Sequence, residues 1–262
     1  MLTAIAHPTD FSPEGMPAFH HALALALVNR CRLDVIHVQS GSGGPGWQDF
    51  PRVRTTLERW GLLRPGAGAG DVLEQTGVQV RKIGIRDKEA GEGLADFLKG
   101  HTPDLVVMAT HGRAGLERLF AGSVSAELVR AVGVPALLLG PQAGGFVDAE
   151  SGALSLRRVL VPLARDPAPE IALDALDGFN AALGAELDPI HVGADAPAIP
   201  ALKLRLLEGA VEETILAEAV SAGLIAMPTR GRHGLLDALR GSTTERVLAG
   251  ATVPVLALPV AG

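Results

Sequence analysis

The sequence predicts two tandem α/β domains, each a doubly wound, mainly parallel sheet flanked by helices, and three observations predict it. First, residues 105 to 122, LVVMATHGRAGLERLFAG, return as residues 224 to 241, LIAMPTRGRHGLLDALRG, at a constant offset of 119. Thirteen of the thirty-six positions from 104 to 139 are identical under that shift, so the similarity is a repeat and not a coincidence of apolar composition. Second, an offset of 154 carries Pro8 onto Pro162 and His37 onto His191, which takes the repeat back to the start of each half. Third, apolar runs of strand length alternate with apolar patterns at helical spacing, an order that calls for right-handed crossovers and a parallel sheet covered on both faces.

Each half opens with a short apolar run, Leu2 to Ala6 or Val159 to Val161, then a turn containing proline. A helical stripe follows: Phe19, Ala22, Leu23, Ala26 and Leu27 in the first half, Ala172, Ala175, Leu176, Phe179 and Leu183 in the second. Second strands are expected at Leu33 to Val38 and Leu187 to Val192. Then come helices near Leu94 to Lys99 and Val211 to Val220, and buried strands at Leu105 to Ala109 and Leu224 to Met227. A glycine motif, a helix and a last strand, Pro135 to Leu139 or Pro254 to Leu258, complete each unit.

The difference between the two offsets leaves about 35 extra residues in the first half. They correspond to an insert at about 41–75, Gly-rich at both ends, with a short helix expected over 50–62 and both tryptophans, Trp47 and Trp60, inside it. The stretch GPQAGGFVDAESGALS, residues 140 to 155, has linker composition. The expected domains are therefore 1–141 and 156–262.

Composition narrows the function classes. Apolar residues make up 47% and the formal charge is −6, which lacks the clustered excess of Lys and Arg with which nucleic-acid binders neutralise phosphates. The longest nearly uninterrupted apolar stretch, Ala131 to Leu139, is too short for a membrane helix of about 20 residues. MLTAIAHPTD has no basic n-region or cleavage site, and the single Cys31 excludes an internal disulfide framework, so a cytoplasmic location is expected. Neither nucleic acid nor membrane is an expected partner.

In doubly wound sheets the ligand crevice lies beyond the carboxyl ends of the strands, where the strand order reverses. The turns holding Thr9-Asp10, Val38-Gln39 and His111-Gly112 are the places to look. Gly112-x2-Gly115-x6-Gly122-Ser123 follows a strand and ends at an apparent helix start, where bare backbone and N–H groups favour a phosphate. It is neither a Walker A motif nor a Rossmann fingerprint. Read from one copy, the same residues serve equally as turn glycines with a serine N-cap.

Two copies in one strand context carry more. HPTDFSPE near the N-terminus together with MATHGRAGLERLFAGSVSAELV before VPALLL resembles the universal stress protein family, and the whole chain resembles its tandem two-domain form, outside the insert and linker. The resemblance implies five parallel strands per domain, pairing of the domains through their last strands, and ATP in each intact crevice. Carried over, it implies that Asp10 contacts the adenine, with Pro8 and Thr9 in the same turn and Val38 nearby. Ribose and phosphates would meet Met108, His111, Gly112, Arg113, Gly115, Gly122, Ser123, Val124 and Ser125. The chemistry is consistent: a carboxylate accepts from an exocyclic amine, and N–H groups with hydroxyls hold phosphate oxygens. Asp10 also has the composition of an N-cap, and the two roles are compatible.

The second half departs from the pattern. Asp10 falls opposite Ala164 and Thr9 opposite Leu163, while Arg165 and Asp166 are shifted in register. The phosphate side is kept in Gly231, Arg232, Gly234, Gly241, Ser242, Thr243 and Thr244, with Arg230 in place of His111. The expectation is functional asymmetry, with an anion or an altered nucleotide site in the second half.

Other candidates are read blandly. His7, His37 and His111 sit near strand ends, but no metal is expected, and His37 with its counterpart His191 reads as a core or edge histidine. Cys31 reads as a buried structural thiol. Arg52, Arg54, Arg59 and Arg64 form a small basic cluster in the insert, either solvated surface or a lid over bound phosphates. The leading expectation is a stress-response or regulatory protein whose cofactor is ATP, taken up with Mg²⁺. A slow ATP-hydrolysing or phosphate-transferring enzyme and a nucleotide-free dimerisation or adaptor module are the alternatives. No general base or paired carboxylates for Mg²⁺ stand beside the glycine motif, so no catalytic residue is assigned. The two halves are expected to pair within the chain, and a homodimer stays open.

Overall fold

The computed structural model describes residues 1–39, 49–110, 133–199, 202–230 and 243–260 and, for Arg230 and Glu245, the backbone only. In chain order the first half holds β1 (Ala4–Pro8), a 3-10 turn (Pro13–Gly15), α1 (Met16–Asn29), β2 (Arg32–Gln39), α2 (Val53–Arg59), α3 (Ala69–Thr76), β3 (Gln79–Arg86), α4 (Ala90–His101), β4 (Leu105–Ala109) and β5 (Ala136–Leu139). The second holds β6 (Arg158–Pro162), α5 (Pro169–Asn180), β7 (Glu186–Val192), β8 (Arg205–Leu207), α6 (Val211–Ala219), β9 (Leu224–Arg230), α7 (Thr243–Gly250) and β10 (Val255–Val260).

The ten strands of the described residues join one sheet in the order β3-β2-β1-β4-β5-β10-β9-β6-β7-β8. Within each half every pairing is parallel. The halves meet where β5 runs antiparallel to β10, with Leu137 opposite Leu256. The last-strand edge is therefore consumed inside the chain, and the strand order reverses between β1 and β4 and again between β6 and β9.

Alternating side chains of the sheet feed two cores. On one face Ile5, Leu33, Val107, Leu137, Val159, Leu224 and Leu256 pack with residues of α1 and α5. On the other Ala6, Ile36, Met108, Leu138, Leu160, Ile225 and Val255 pack with α4, α6 and α7. Strand β4 is buried at all five positions, LVVMA, as befits a central strand of a covered parallel sheet.

Three local expectations change. Helix α1 does not show a single apolar face: Ala18 to Ala26 are all buried, His20 and His21 included. The cause is the insert, whose α2 and the buried Trp60 and Leu63 lie over α1, together with the connection after β5, which places Phe146 edge-on against His21 at 4.5 Å. The insert helix expected over 50–62 is shorter, Val53–Arg59, and a second one, α3, was not read from sequence. Helix α5 ends at Asn180, so Leu183 of its expected stripe lies past the helix, still against the same core.

Residues 140–157 form a packed loop closed by a bridge between Val147 and Leu154. Trp60 Nε1 donates to Ala149 O at 3.0 Å, and the Phe146 N–H donates to His21 Nε2 at 3.0 Å. Gly152, at φ +71, takes a conformation and a position under the Trp60 ring that a Cβ would block.

The third strands, β3 and β8, carry too much charge to stand out as apolar runs, and each is fixed by a carboxylate on its neighbour. Arg81 of β3 grips Asp34 of β2 with Nε–Oδ1 and Nη2–Oδ2 both at 2.6 Å. Arg205 of β8 grips Asp188 of β7 in the same way, at 2.8 and 2.7 Å. Asp34 and Asp188 are related by the offset of 154, so the ion pair is part of the repeat.

Candidate functional site

The carboxyl ends of β1, β2 and β4 open toward the reversal point of the first half. Pro8 is the last residue of β1, paired in register with Ile36. Thr9 continues the ladder, its N–H donating to Ile36 O at 2.8 Å, and its carbonyl accepts from His37 Nδ1 at 2.7 Å. The turn that follows is built from its own side chains. Asp10 Oδ1 accepts from Ser12 N at 3.0 Å and from the Ser12 hydroxyl, while Ser12 Oγ accepts from Gly15 N at 3.2 Å. Ser12 is thus the cap of the 3-10 turn, and Asp10 stands behind it as the group that orients Ser12. The capping role expected for Asp10 belongs to its neighbour.

That arrangement occupies one carboxylate oxygen only. Oδ2 of Asp10 is buried with no hydrogen-bond partner among the described residues. An unpaired buried acceptor costs free energy until a donor reaches it. Phe11, at φ 61, lies in the left-handed region that bulky residues rarely occupy. Its ring stacks on His37 at 4.0 Å and meets Phe50, from the insert, edge-on at 4.9 Å. The repeat gave no signal for Phe50, because the insert has no counterpart in the second half.

Val38 and Met108 share the core beneath α4, Met108 buried and Val38 partly so. Thr110, just after β4, is held by Leu139 O through its N–H at 2.9 Å. His111, Gly112, Arg113, Gly115, Gly122, Ser123, Val124 and Ser125 lie outside the described residues, as do Gly231, Arg232, Gly234, Gly241 and Ser242. The structure therefore brings together Pro8, Thr9, Asp10, Val38 and Met108 at one end of the sheet.

His7 points to the α1 side of β1. Its Nδ1 donates to Val107 O at 2.9 Å, and burial lowers its pKa to about 4, so the ring is neutral and Nε2 is an acceptor without a partner among the described residues. His21 is also pulled down to about 4 by burial and has both nitrogens engaged, with Pro17 O and Phe146 N. Among the described residues no group of three or more His, Cys, Asp or Glu is placed to hold a metal. Cys31 is buried, and burial raises its pKa to about 11, which keeps it a thiol at neutral pH. Of the insert arginines, Arg59 pairs with Glu150 at 3.5 Å and donates to His20 Nε2 at 3.3 Å, so it is directed at the linker and α1.

The second half repeats the scaffold and changes the chemistry. Leu163 N donates to Ile190 O at 2.8 Å, and His191 Nδ1 donates to Leu163 O at 2.9 Å, matching Thr9 and His37. Where Asp10 would stand is Ala164, with no side-chain acceptor. A cavity of about 650 Å³ remains, lined by Leu163, Ala164, Met227, Thr243, Thr244 and Arg246 among others. His191 Nε2 and Thr229 Oγ1 are buried beside it without hydrogen-bond partners among the described residues.

With this geometry in view, known proteins give the same answer. The universal stress protein family model matches residues 1–140 and 193–259. The unmatched stretch contains β6 and the turn where Ala164 stands in place of Asp10, with Asp166 shifted in register and lining the cavity. A universal stress protein of Mycobacterium tuberculosis is 25% identical over 270 residues, 88% of this chain and 88% of that protein. One from Methanocaldococcus jannaschii is 27% identical over 140 residues, 52% of this chain and 80% of that protein. The crystal structure of a universal stress protein from Archaeoglobus fulgidus covers 98% of this chain and 96% of its own, with a TM-score of 0.62 at 20% identity. No helix among the described residues is long and apolar enough to cross a membrane. A doubled parallel sheet joined through its last strands, with the crevice turn intact in one half, and a family match over most of the chain lead to one conclusion: the chain belongs to the universal stress protein family.

Proposed function

We propose that this protein binds ATP in the crevice of its first half and acts as a nucleotide-responsive regulatory protein of the stress response in the cytoplasm. The observation that carries this reading is Asp10. One of its oxygens is spent on Ser12, and the other is a buried acceptor with no donor among the described residues. A carboxylate accepts and does not donate, so the group that suits it is an exocyclic amine such as that of adenine. Thr9 and Pro8 form the adjoining backbone, Val38 and Met108 the apolar bed for a base. The glycine motif, with His111, Arg113, Ser123 and Ser125, would hold the ribose and the phosphates with their Mg²⁺.

The second crevice lacks the acceptor at Ala164, and the family match omits that region while resuming at residue 193. It therefore binds ATP more weakly than the first, or not at all. Calorimetric titration of nucleotide-stripped protein with Mg-ATP tests both statements. One-site binding is expected for the wild type. Asp10→Ala should weaken it at least about tenfold, the loss that accompanies removal of a hydrogen bond to a charged group. Absence of binding by the wild type would overturn the reading.

A further inference from the structure

The insert does more than cover α1. Between α2, α3 and the outer strand β3 it lines a half-open cavity of about 750 Å³, within the roughly 300–1,000 Å³ typical of small-molecule sites. Its floor is apolar: Val53, Val72 and Val78 are buried there, and Phe50 closes one end. Its polar groups are mainly cations. Arg52, Arg54 and Lys82 all line it, and none of the three has an ion-pair partner among the described residues.

Two of these cations are held close by the fold. Arg54 spends Nη1 on Ala67 O at 3.2 Å, which fixes the guanidinium between α2 and the loop before α3. Lys82 rises from β3 with Nζ 5.8 Å above the centre of the Phe50 ring. Burial and the charge of Arg54 both push the Lys82 pKa down. Like charges thus converge over an apolar floor in a chain whose net charge is −6, so general electrostatics does not demand them there. Arg52 and Arg54 are exposed and Lys82 is half-buried, and all three border the same cavity.

We propose that this cavity binds a free amphipathic anion, an apolar chain ending in a carboxylate or phosphate headgroup, with the headgroup between Arg54 and Lys82 and the chain along Val53, Val72 and Val78. The site belongs to the first half alone, because the second has no insert. It is independent of the nucleotide reading, since it shares no polar group with the turn at Asp10.

The probe is decanoate, titrated calorimetrically into the full-length protein, with 1-decanol as the uncharged control. Saturable one-site binding of decanoate is expected, weakened about tenfold by Lys82→Gln and similarly by Arg54→Gln, as for a charge-assisted hydrogen bond. Decanol should bind at least about tenfold more weakly, and Asp10→Ala should leave decanoate binding unchanged. The proposal is overturned by no saturable binding, by equal binding of decanol and decanoate, or by indifference to both charge replacements. Loss of decanoate binding in Asp10→Ala would overturn it too, by placing the anion in the crevice.

Discussion

The two halves share a strand order, a helix layer on each face and an Asp–Arg pair on the outer strands, yet α1 and α5 sit in different surroundings. Helix α5 buries Ala172, Leu176 and Phe179 and leaves Ile171 47% exposed, the usual condition of a helix on a sheet. Helix α1 is buried from Ala18 to Ala26 because the insert and the interdomain loop form a further layer over it. A helix buried all round carries little amphipathic signal. The lesson is that about 35 residues added to one copy of a repeat converted its outer helix into a core helix and created surfaces the other copy lacks.

The largest effect that would test this difference is removal of the clasp between the insert and the loop. Trp60 is 7% exposed, its indole N–H held by Ala149 O at 3.0 Å. Trp60→Ala should cost about 3–5 kcal/mol, as large-to-small changes at buried aromatics do. Ile171→Ala, on the outside of α5, should stay within about 0.5 kcal/mol. Midpoints of urea denaturation followed by circular dichroism compare the two. Equal costs would mean that the extra layer contributes nothing to α1.

Acid should separate the halves next. His7 and His21 both lie in the first half, and burial pulls each down to about 4 from an ordinary value near 6.5. Folded, they stay neutral while the unfolded chain takes up protons, so their contribution is complete above pH 6.5 and is lost as pH falls toward 4. Each accounts for ~3 kcal/mol over that window. Both tryptophans lie in the first half, so their fluorescence reports on it. The denaturation midpoint seen by fluorescence should fall between pH 6.5 and 4 more steeply than the part of the circular dichroism change that comes from the second half. A flat fluorescence midpoint would show that these histidines are not held neutral.

Much of this architecture was legible because the repeat acts as an internal alignment. The strands β1, β2, β4, β5, β6, β7, β9 and β10 each fall on an apolar run, since central parallel strands are buried on both faces. The outer strands were not, for an opposite physical reason: QVRKIGIR and RLL are half-solvated and hold their place through Arg81 and Arg205 instead of through apolar side chains. At the site, Thr9 and Asp10 were readable from their place after β1. Ser12 as the cap, and Phe50 reaching Phe11 from the insert, were not, because both depend on how a turn closes and where an unrepeated segment packs.

The smallest effect concerns the repeated ion pair, and burial and redundancy pull its two copies apart. The Asp34 side chain is 2% exposed and that of Asp188 13%. In the first half, Asn in place of Asp34 leaves Arg81 without another carboxylate among the described residues. In the second, Arg205 still has Glu218 Oε2 at 2.6 Å, and Arg158 has it at 3.9 Å. Asp34→Asn should therefore cost about 2 kcal/mol and Asp188→Asn about 1, both reduced from the fully buried case because Arg81 and Arg205 are partly solvated. The backbone reverses the order locally. Strand β3 pairs with β2 over eight residues, Arg32↔Gln79 to Gln39↔Arg86, whereas β8 pairs with β7 over three, Ile190↔Arg205 to Val192↔Leu207. A long ladder keeps β3 in place after its clamp is lost, so the cost appears in global stability. A three-residue strand has little else, so Asp188→Asn should speed amide exchange at Arg205 to Leu207 while the denaturation midpoint moves less than in Asp34→Asn. Faster exchange along β3 in Asp34→Asn, with β8 unchanged in Asp188→Asn, would mean that the arginines and not the ladders decide which edge strand opens.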